Sequence, residues 1–416
     1  MSSKHSKRRV AITGIGAVTP IGNTIEATWN GLLENRVQAD KVKSYDASTM
    51  PTKFGYEVSE FELNKKYLKD EDLQRLNLAG QFGINAAVEA LEQSGILDAD
   101  IDRHRIGTCL GVGMFSPSTK WYDEVMLEEN FEDPRLKEHI KYWPNFLTSV
   151  ISRIANAKGA ATTIHTACAS SGQSLGEAYE MVAYGDADVV ITGGADSMIN
   201  PYHMAGFNLL GALSKRNDDC KTASRPFDAE RDGFVLGEGA CMLIFEDYEH
   251  AKKRGAKILG EICGYGITES AYRITDLHPE GEGPKEAMEM AINDAGARPS
   301  EVGYINAHGT STHLNDKCET LAVSKVFPSE SCDVHVGSSK STTGHLISAA
   351  GAIEFAICVK ALMHQTVPPN TNLFEKDPEI AAKLAETTPI EKKMEFALSN
   401  SVGFGGSNTA LVARRV

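Results

Sequence analysis

No two of the eight cysteines form a C-x-x-C pair. Cys109, Cys168, Cys220, Cys241, Cys263, Cys318, Cys332 and Cys358 are scattered over 416 residues, which signals neither a zinc site nor a redox pair. In a chain this long they read as reduced thiols, which points to a cytoplasmic setting. Positive charge is also short: 42 basic against 56 acidic residues leave a net charge of −14. That balance argues against bulk attraction to nucleic acid or an anionic membrane, and neither partner is expected. Nor is there a run of about 18 uninterrupted apolar residues, the length a membrane span needs. The best candidate, "AAGAIEFAICVKALM", carries Glu354 and Lys360. The opening "MSSKHSKRRVAITGIGAVTPIG" imitates a secretion signal, but Gly14, Gly16, Thr19 and Pro20 break its apolar part too early. "GIGAVT" lacks the third glycine of a dinucleotide loop and reads as a turn at the end of a strand.

What remains is an ordinary globular composition, 42% hydrophobic and 24% charged. Short apolar runs alternate with helical patterns. "RRVAITGIG", "RIGTCLGVG", "ADVVITGGAD" and "CMLIFEDYE" read as buried strands, and "LQRLNLAGQFGINAAVEALEQSG" reads as a helix ending at Gly95. This alternation predicts an α/β fold with mainly parallel strands. After "HAKKRGA" the pattern restarts. "KILGEICGYG" echoes the first strand, "MEMAINDAGA" echoes "AVEALEQSGI", "VGYINAHGTST" echoes "RIGTCLGVGMF", and "MEFALSNSVGFGG" echoes "ADVVITGGAD". A duplicated unit is expected, with halves at residues 1–255 and 256–416.

Chemistry is suggested at three small-residue turns. In "TTIHTACASSGQSLGEAYEMVAYG", Leu175, Ala178, Tyr179 and Val182 follow helical spacing, so Cys168 lies at or just before a helix N-terminus. Unpaired N–H groups there favour a thiolate; the alternative is a small buried cysteine at a tight turn. His308 follows a strand in "GYINAHGTST". Lys340 and His345 flank another strand-to-helix turn, in "GSSKSTTGHLISAAGAIE". In "SNSVGFGGSN", Gly403, Gly405 and Gly406 surround Phe404, a backbone suited to offering N–H groups to an oxyanion. In "RPFDAERDGFVLGEG", Arg225, Asp228, Arg231, Asp232 and Glu238 read as an internal salt-bridge network rather than an acid–base pair. Nothing in the strand alternation aims His165 at the Cys168 sulfur.

The segments "TACASSGQSLGEA", "RPFDAERDGFVLGEGA", "NAHGTSTHLND", "KSTTGHLISAAGAIE" and "NSVGFGGSN" occur in this order across nearly the whole chain. Together they resemble the β-ketoacyl-acyl-carrier-protein synthases of the type II condensing-enzyme group, which include ketosynthase subunits of type II polyketide synthases. The resemblance implies a thiolase-like fold: a duplicated αβαβα five-layered sandwich, usually dimeric. By position, Cys168 resembles the acylated nucleophile, and His308 and His345 the pair that promotes malonyl decarboxylation. Lys340 resembles the supporting lysine. Phe404 resembles the gate, its N–H and that of Cys168 forming the oxyanion hole. Thr310 and Thr312 resemble pantetheine contacts, and Glu354 and Asp316 buried supports. Met114 or Phe115 would floor the acyl pocket, with Tyr142 and Trp143 closing it from a neighbouring subunit.

A thioester passes its acyl group readily to a thiolate, which suits cysteine as nucleophile. The resemblance implies no metal and no redox cofactor, since the substrates ride on the phosphopantetheine of an acyl carrier protein. Carrier docking would use Lys65, Lys66, Lys69, Arg75, Lys215 or Arg216. The partner subunit is a second copy or a chain-length factor. A chain-length partner without catalysis would lack Cys168, and a thiolase would carry a second cysteine in the C-terminal glycine loop. Neither fits well.

Overall fold

The computed structural model describes residues 7–113, 126–129, 132–133, 143–273 and 277–416. Among the described residues ten strands form one mixed sheet: β1 (Val10–Val18), β2 (Ile106–Val112), β3 (Ala161–Ile164), β4 (Val189–Ser197), β5 (Glu238–Asp247), β6 (Gly260–Glu269), β7 (Val302–Asn306), β8 (His335–Gly337), β9 (Phe396–Val402) and β10 (Ser407–Arg414). Their spatial order is β8-β7-β9-β10-β6-β1-β5-β4-β2-β3. Outward from the β6/β1 junction, both arms have the same succession: first strand, fifth, fourth, second and third. β6 therefore matches β1, β7 matches β2 and β9 matches β4, as the repeated segments predict.

The expectation of mainly parallel strands is only partly met. Four neighbouring pairs are parallel and five are antiparallel. Connection length explains one of the five. Only residues 403–406 join β9 to β10, whereas a parallel connection needs a crossover of about a dozen residues or more. The β6/β1 pair is antiparallel because like strands meeting across a two-fold must run in opposite directions.

Six helices set the layers: α1 (Leu78–Ser94), α2 (Asn145–Ile154), α3 (Ser170–Ala183), α4 (Glu282–Ala295), α5 (His313–Val326) and α6 (Ala350–His364). On the outside, α1 packs on β1, β5 and β4, while α4 packs on β6 and β10. Between the arms, α3 and α6 each touch strands of both halves. The result is the helix–sheet–helix–sheet–helix order of a thiolase-like sandwich. Ile347–His364 has the length and composition of a membrane span, yet it lies in this central layer and is 89% buried.

Two local readings are corrected. The long helix begins at Leu78 rather than Leu73, because the Asn77 side chain caps it by accepting the Gly80 N–H at 2.8 Å. It ends as expected at Gly95, whose φ is +68°. The "GIG" of the first segment is strand, not turn: β1 runs through it to Val18, and the chain turns at Thr19–Gly22. These glycines answer to packing. A Cβ on Gly14 or Gly16 would sit 2.1 Å from the carbonyl oxygen of Ala90 or Ala86 on α1. The second half repeats the device, with Gly264 and Gly266 at 2.1 and 2.0 Å from Ala291 and Ala287 on α4. Each helix backbone thus lies directly on its strand. Gly14→Val is expected to cost at least about 1–3 kcal/mol through overpacking. It should lower the unfolding midpoint, and an unchanged midpoint would show that α1 need not approach so closely.

The central helices approach as closely. A Cβ on Gly351 would fall 2.6 Å from the Gly172 nitrogen, and the Ala352 N–H donates to Ser171 Oγ at 3.0 Å. This crossing sets the heads of α3 and α6 side by side.

Candidate active site

A short 3₁₀ turn leads into each central helix, Ala167–Ala169 before α3 and Ile347–Ala349 before α6. The first residue of each is left-handed without being glycine: Ala167 has φ +48° and Ile347 has φ +46°. Such a conformation costs roughly 1–2 kcal/mol and persists only where the surroundings enforce it. The bend puts Cys168 at the head of α3. On the other side, His345 stands beside it, Nε2 to Sγ at 3.2 Å. His308, from the loop after β7, meets His345 edge-on with ring centroids 5.2 Å apart. The three turns singled out in the sequence therefore converge. The sulfur and one nitrogen of each ring all lie within 4.8 Å of one another, and all three residues are buried.

Lys340, 1% exposed, holds this group from behind. Its Nζ donates to Glu354 Oε1 and to the His308 carbonyl oxygen, and approaches His308 Nδ1 at 3.4 Å. An ammonium only donates, so Nδ1 of His308 is an acceptor. The Ile347 N–H donates to His345 Nδ1 at 3.3 Å. Each neutral ring therefore carries its proton on Nε2. Burial, reinforced by the Lys340 charge, holds both imidazoles well below the usual histidine range. Burial also pushes the Glu354 carboxyl up to about 7, against the pull of Lys340.

Two influences oppose each other at the sulfur. A helix N-terminus favours a thiolate, but burial pushes the Cys168 thiol up to about 12, against the pull of Lys340 and of the Phe404 backbone N–H. Burial thus works against the helix end at this sulfur.

Phe404 follows β9 and is 37% exposed. The loop beside it requires glycine: Gly405 and Gly406 have φ of +98° and +101°. Thr310 and Thr312, with hydroxyls 3.0 Å apart, lie on the wall of the same cavity. Its volume is about 240 Å³, and Cys168, His308, His345 and Phe404 also line it. Leu210, Phe234 and Leu277 make part of its surface apolar. Met114, Phe115 and Tyr142 fall outside the described residues, while Trp143 is exposed. The buried surroundings of Cys168 that are described include Met198, Ile199, Met204 and Phe234.

Asp316 is a support, accepting the N–H groups of Ser311 and Phe227 at 3.2 and 2.9 Å. The expected salt-bridge network is met only in part: Arg231 contacts Asp377 at 2.6 Å and Asp316 at 3.6 Å, and Arg225 contacts Asp228 at 3.8 Å, whereas Asp232 accepts the Lys215 N–H and Glu238 accepts the Val58 N–H and the Ser197 hydroxyl. His165 turns to the Val112 carbonyl oxygen, 3.0 Å away, and not to the sulfur.

Sequence reasoning missed Glu319. Fully buried on α5, it accepts the N–H groups of His308 and Gly309 at 2.7 and 2.8 Å and so fixes the His308 loop. The available signal was its spacing: Asp316 and Glu319 are three apart on one helix face, directly after that loop. The Ile347 amide and Phe234, which stacks edge-on against His345 at 5.3 Å, gave no signal in the sequence.

Comparison with known proteins agrees with this geometry. "Beta-ketoacyl synthase, N-terminal domain" matches residues 7–251, and "Beta-ketoacyl synthase, C-terminal domain" matches residues 259–374. The chain belongs to the β-ketoacyl synthase family. Among its fellow β-ketoacyl synthases, 3-oxoacyl-[acyl-carrier-protein] synthase 2 of Vibrio harveyi is 39% identical over 99% of each chain. The protein of the same name from Staphylococcus aureus strain N315 is 38% identical over 98% of each chain. A β-ketoacyl synthase structure from Burkholderia phymatum superposes with a TM-score of 0.90 at 31% identity, covering 98% of this chain and 100% of that one. The ishigamide ketosynthase/chain length factor gives a TM-score of 0.88 at 29% identity, covering 99% and 100%. A type II PKS ketosynthase in complex with its acyl-carrier protein gives 0.87 at 30% identity, with the same coverage. This β-ketoacyl synthase is thus an acyltransferase of the condensing-enzyme class.

Proposed function

We propose that the chain joins an acyl group held on Cys168 to a malonyl unit carried by an acyl carrier protein, with loss of CO2. The observation that supports this most is one buried sulfur facing two neutral imidazoles whose protons sit on Nε2. In the first step Sγ attacks the acyl thioester carbonyl. The thiol proton passes to the leaving pantetheine sulfur, and the N–H groups of Cys168 and Phe404 receive the developing oxyanion. In the second step malonyl thioester breaks its carboxylate bond and releases CO2. The electron pair forms an enolate, which accepts Nε2–H bonds from His308 and His345. Its carbon attacks the acyl-Cys168 carbonyl, and the thiolate leaves and takes up one proton from solvent. Lys340, held by Glu354, keeps His308 in the donor tautomer, and the Ile347 N–H does so for His345. Thr310 and Thr312 contact the pantetheine arm, and Phe404 gates the cavity. The chemistry calls on no metal or redox group. The reaction is tested by supplying acyl- and malonyl-carrier protein and looking for the β-ketoacyl product; its absence with native carriers would remove the proposal.

The pH profile follows from the rings. Only the neutral imidazole is held as an Nε2–H donor beside an accepting Nδ1, and burial lowers the pH at which it is lost. Malonyl decarboxylation is therefore expected to stay level as pH falls through 6.5, the ordinary histidine midpoint. CO2 release measured across that range checks it, and a half-maximal loss at 6.5 would contradict it.

The carrier would dock around the cavity mouth. Leu210 lines the cavity and is 58% exposed, while Leu209 beside it is 90% exposed. Lys215 and Arg216 follow a few residues on. Lys66, by contrast, is already paired with Glu92 at 2.7 Å. Reversing both charges, Lys215→Glu with Arg216→Glu, is expected to raise KM for acyl-carrier protein several-fold at low salt and less at high salt. Equal KM values at low salt would place docking elsewhere.

The pathway reading starts from fatty-acid elongation, which the curated relatives' names favour. A ketosynthase subunit working with a chain-length factor is the second reading, favoured by the two polyketide-type structural neighbours. Either way a partner subunit would add to β3, the last strand of the sheet, where Ala161 and Thr162 are exposed. A cytoplasmic setting is supported by eight unpaired cysteines.

A further inference from the structure

The catalytic trio is also the ligand set that zinc prefers. Zinc binds cysteine sulfur at about 2.3 Å and histidine nitrogen at about 2.0–2.1 Å, so tetrahedral ligand atoms stand roughly 3.3–3.6 Å apart. Here Cys168 Sγ and a nitrogen of each of His308 and His345 lie within 4.8 Å of one another. One edge, His345 Nε2 to Sγ, is already 3.2 Å. The fourth position would face the cavity, where water reaches it. By donor type, and with one edge already at tetrahedral spacing, these three groups need only close by about an ångström to become an open Cys-His-His metal site, in an enzyme whose sulfur must stay free.

The hydrogen bonds behind the rings oppose that use. A metal reaching for Nε2 of His345 meets a proton, because the Ile347 N–H occupies Nδ1. At His308 the same holds through Lys340: Nδ1 faces the Nζ, 3.4 Å away, and Nε2 carries the proton. A metal reaching instead for Nδ1 of His308 must displace the lysine. Lys340 cannot easily move aside, since its other bonds run to Glu354 and the His308 carbonyl oxygen and it is buried. Its positive charge also repels a cation at the sulfur.

We propose that Lys340 has a second duty: it excludes divalent metal ions from a Cys-His-His set that would otherwise bind them. The Ile347 bond is backbone to ring, survives substitution of Lys340 and is one long hydrogen bond of 3.3 Å, which a metal–nitrogen bond can outcompete; the buried Lys340 charge acts on the whole trio, so the lysine is the larger and separable part of the device. The inference rests on the geometry of the trio and holds whichever acyl group the enzyme carries.

The test uses cobalt, whose tetrahedral complexes absorb in the visible and whose thiolate bond adds a near-ultraviolet band. Chelator-treated protein is titrated with Co²⁺. The native chain is expected to show neither band at stoichiometric metal. Lys340→Met is expected to take up one Co²⁺ per chain and to show both bands at stoichiometric metal. Adding Cys168→Ser should abolish the thiolate band. Because Lys340→Met leaves Glu354 buried without its partner, Lys340→Met with Glu354→Gln is measured alongside, and thermal unfolding confirms that each variant is folded. Chelator should restore part of the variants' decarboxylation of malonyl-carrier protein and leave the native rate unchanged. Two results would overturn the proposal: a native chain that binds Co²⁺ through Cys168 as tightly as the variants, or folded variants that bind none.

Discussion

Cys168→Ala is expected to lose acyl loading and condensation together, by roughly 10⁴-fold or more, the scale on which removal of a covalent nucleophile is usually felt. Among the described residues no neighbouring group is placed to replace the sulfur. The other seven cysteines lie outside the cavity, and Ser348, which occupies the matching position in the second turn, is bonded to Asp196 at 2.6 Å. Malonyl decarboxylation should survive in part, because His308, His345 and their Nε2 protons do not depend on the sulfur. The variant is checked by radiolabelled acyl transfer to protein and by CO2 release, measured separately. Condensation at a tenth of the native rate or better would remove the covalent step. Folding should be little affected, since the substitution removes one sulfur from a site bordered by the cavity.

His308→Ala is expected to slow decarboxylation by about 10²–10³, the loss of one preorganised oxyanion donor, or roughly 2.7–4 kcal/mol. Acyl loading should fall much less, because the donors proposed for that step are backbone N–H groups. The separation between the two rates is the informative quantity. The same substitution strips Lys340 of one acceptor but leaves Glu354 and the backbone carbonyl at residue 308, so the lysine stays anchored. Glu319 still holds the backbone of the loop. Equal losses in both steps would mean that His308 serves acyl loading as much as the enolate, and a normal decarboxylation rate would remove it from the reaction.

Much of this site was legible because the sequence spells out its turns. Small residues around Cys168, His308 and His345 mark places where backbone passes close to backbone, and the helical spacing after Cys168 places it at a helix head. The repeat was legible for the same reason: each half reuses one strand–helix vocabulary. What escaped was set by the tertiary arrangement. Gly14 and Gly16 looked like a turn because nothing local says that Ala86 and Ala90 will press against them. Strand direction escaped where it depends on connection length and on how two halves meet. The burial of the sulfur escaped most clearly, since a helix end is visible in sequence and the desolvation that opposes it is not. Glu319 escaped because its partners are backbone groups, which leave no mark on residue type.

The central claim is that Cys168 carries the acyl group while His308 and His345 generate the attacking enolate. Intact-protein mass spectrometry during a single turnover tests it most directly. Incubation with acyl-carrier protein should add the mass of one acyl group, located on the Cys168 peptide. Adding malonyl-carrier protein should discharge that mass, release one CO2, and leave a carrier-bound product longer by two carbons. An unmodified Cys168 with product still forming, or an acylated Cys168 that water discharges without CO2 release, would contradict it.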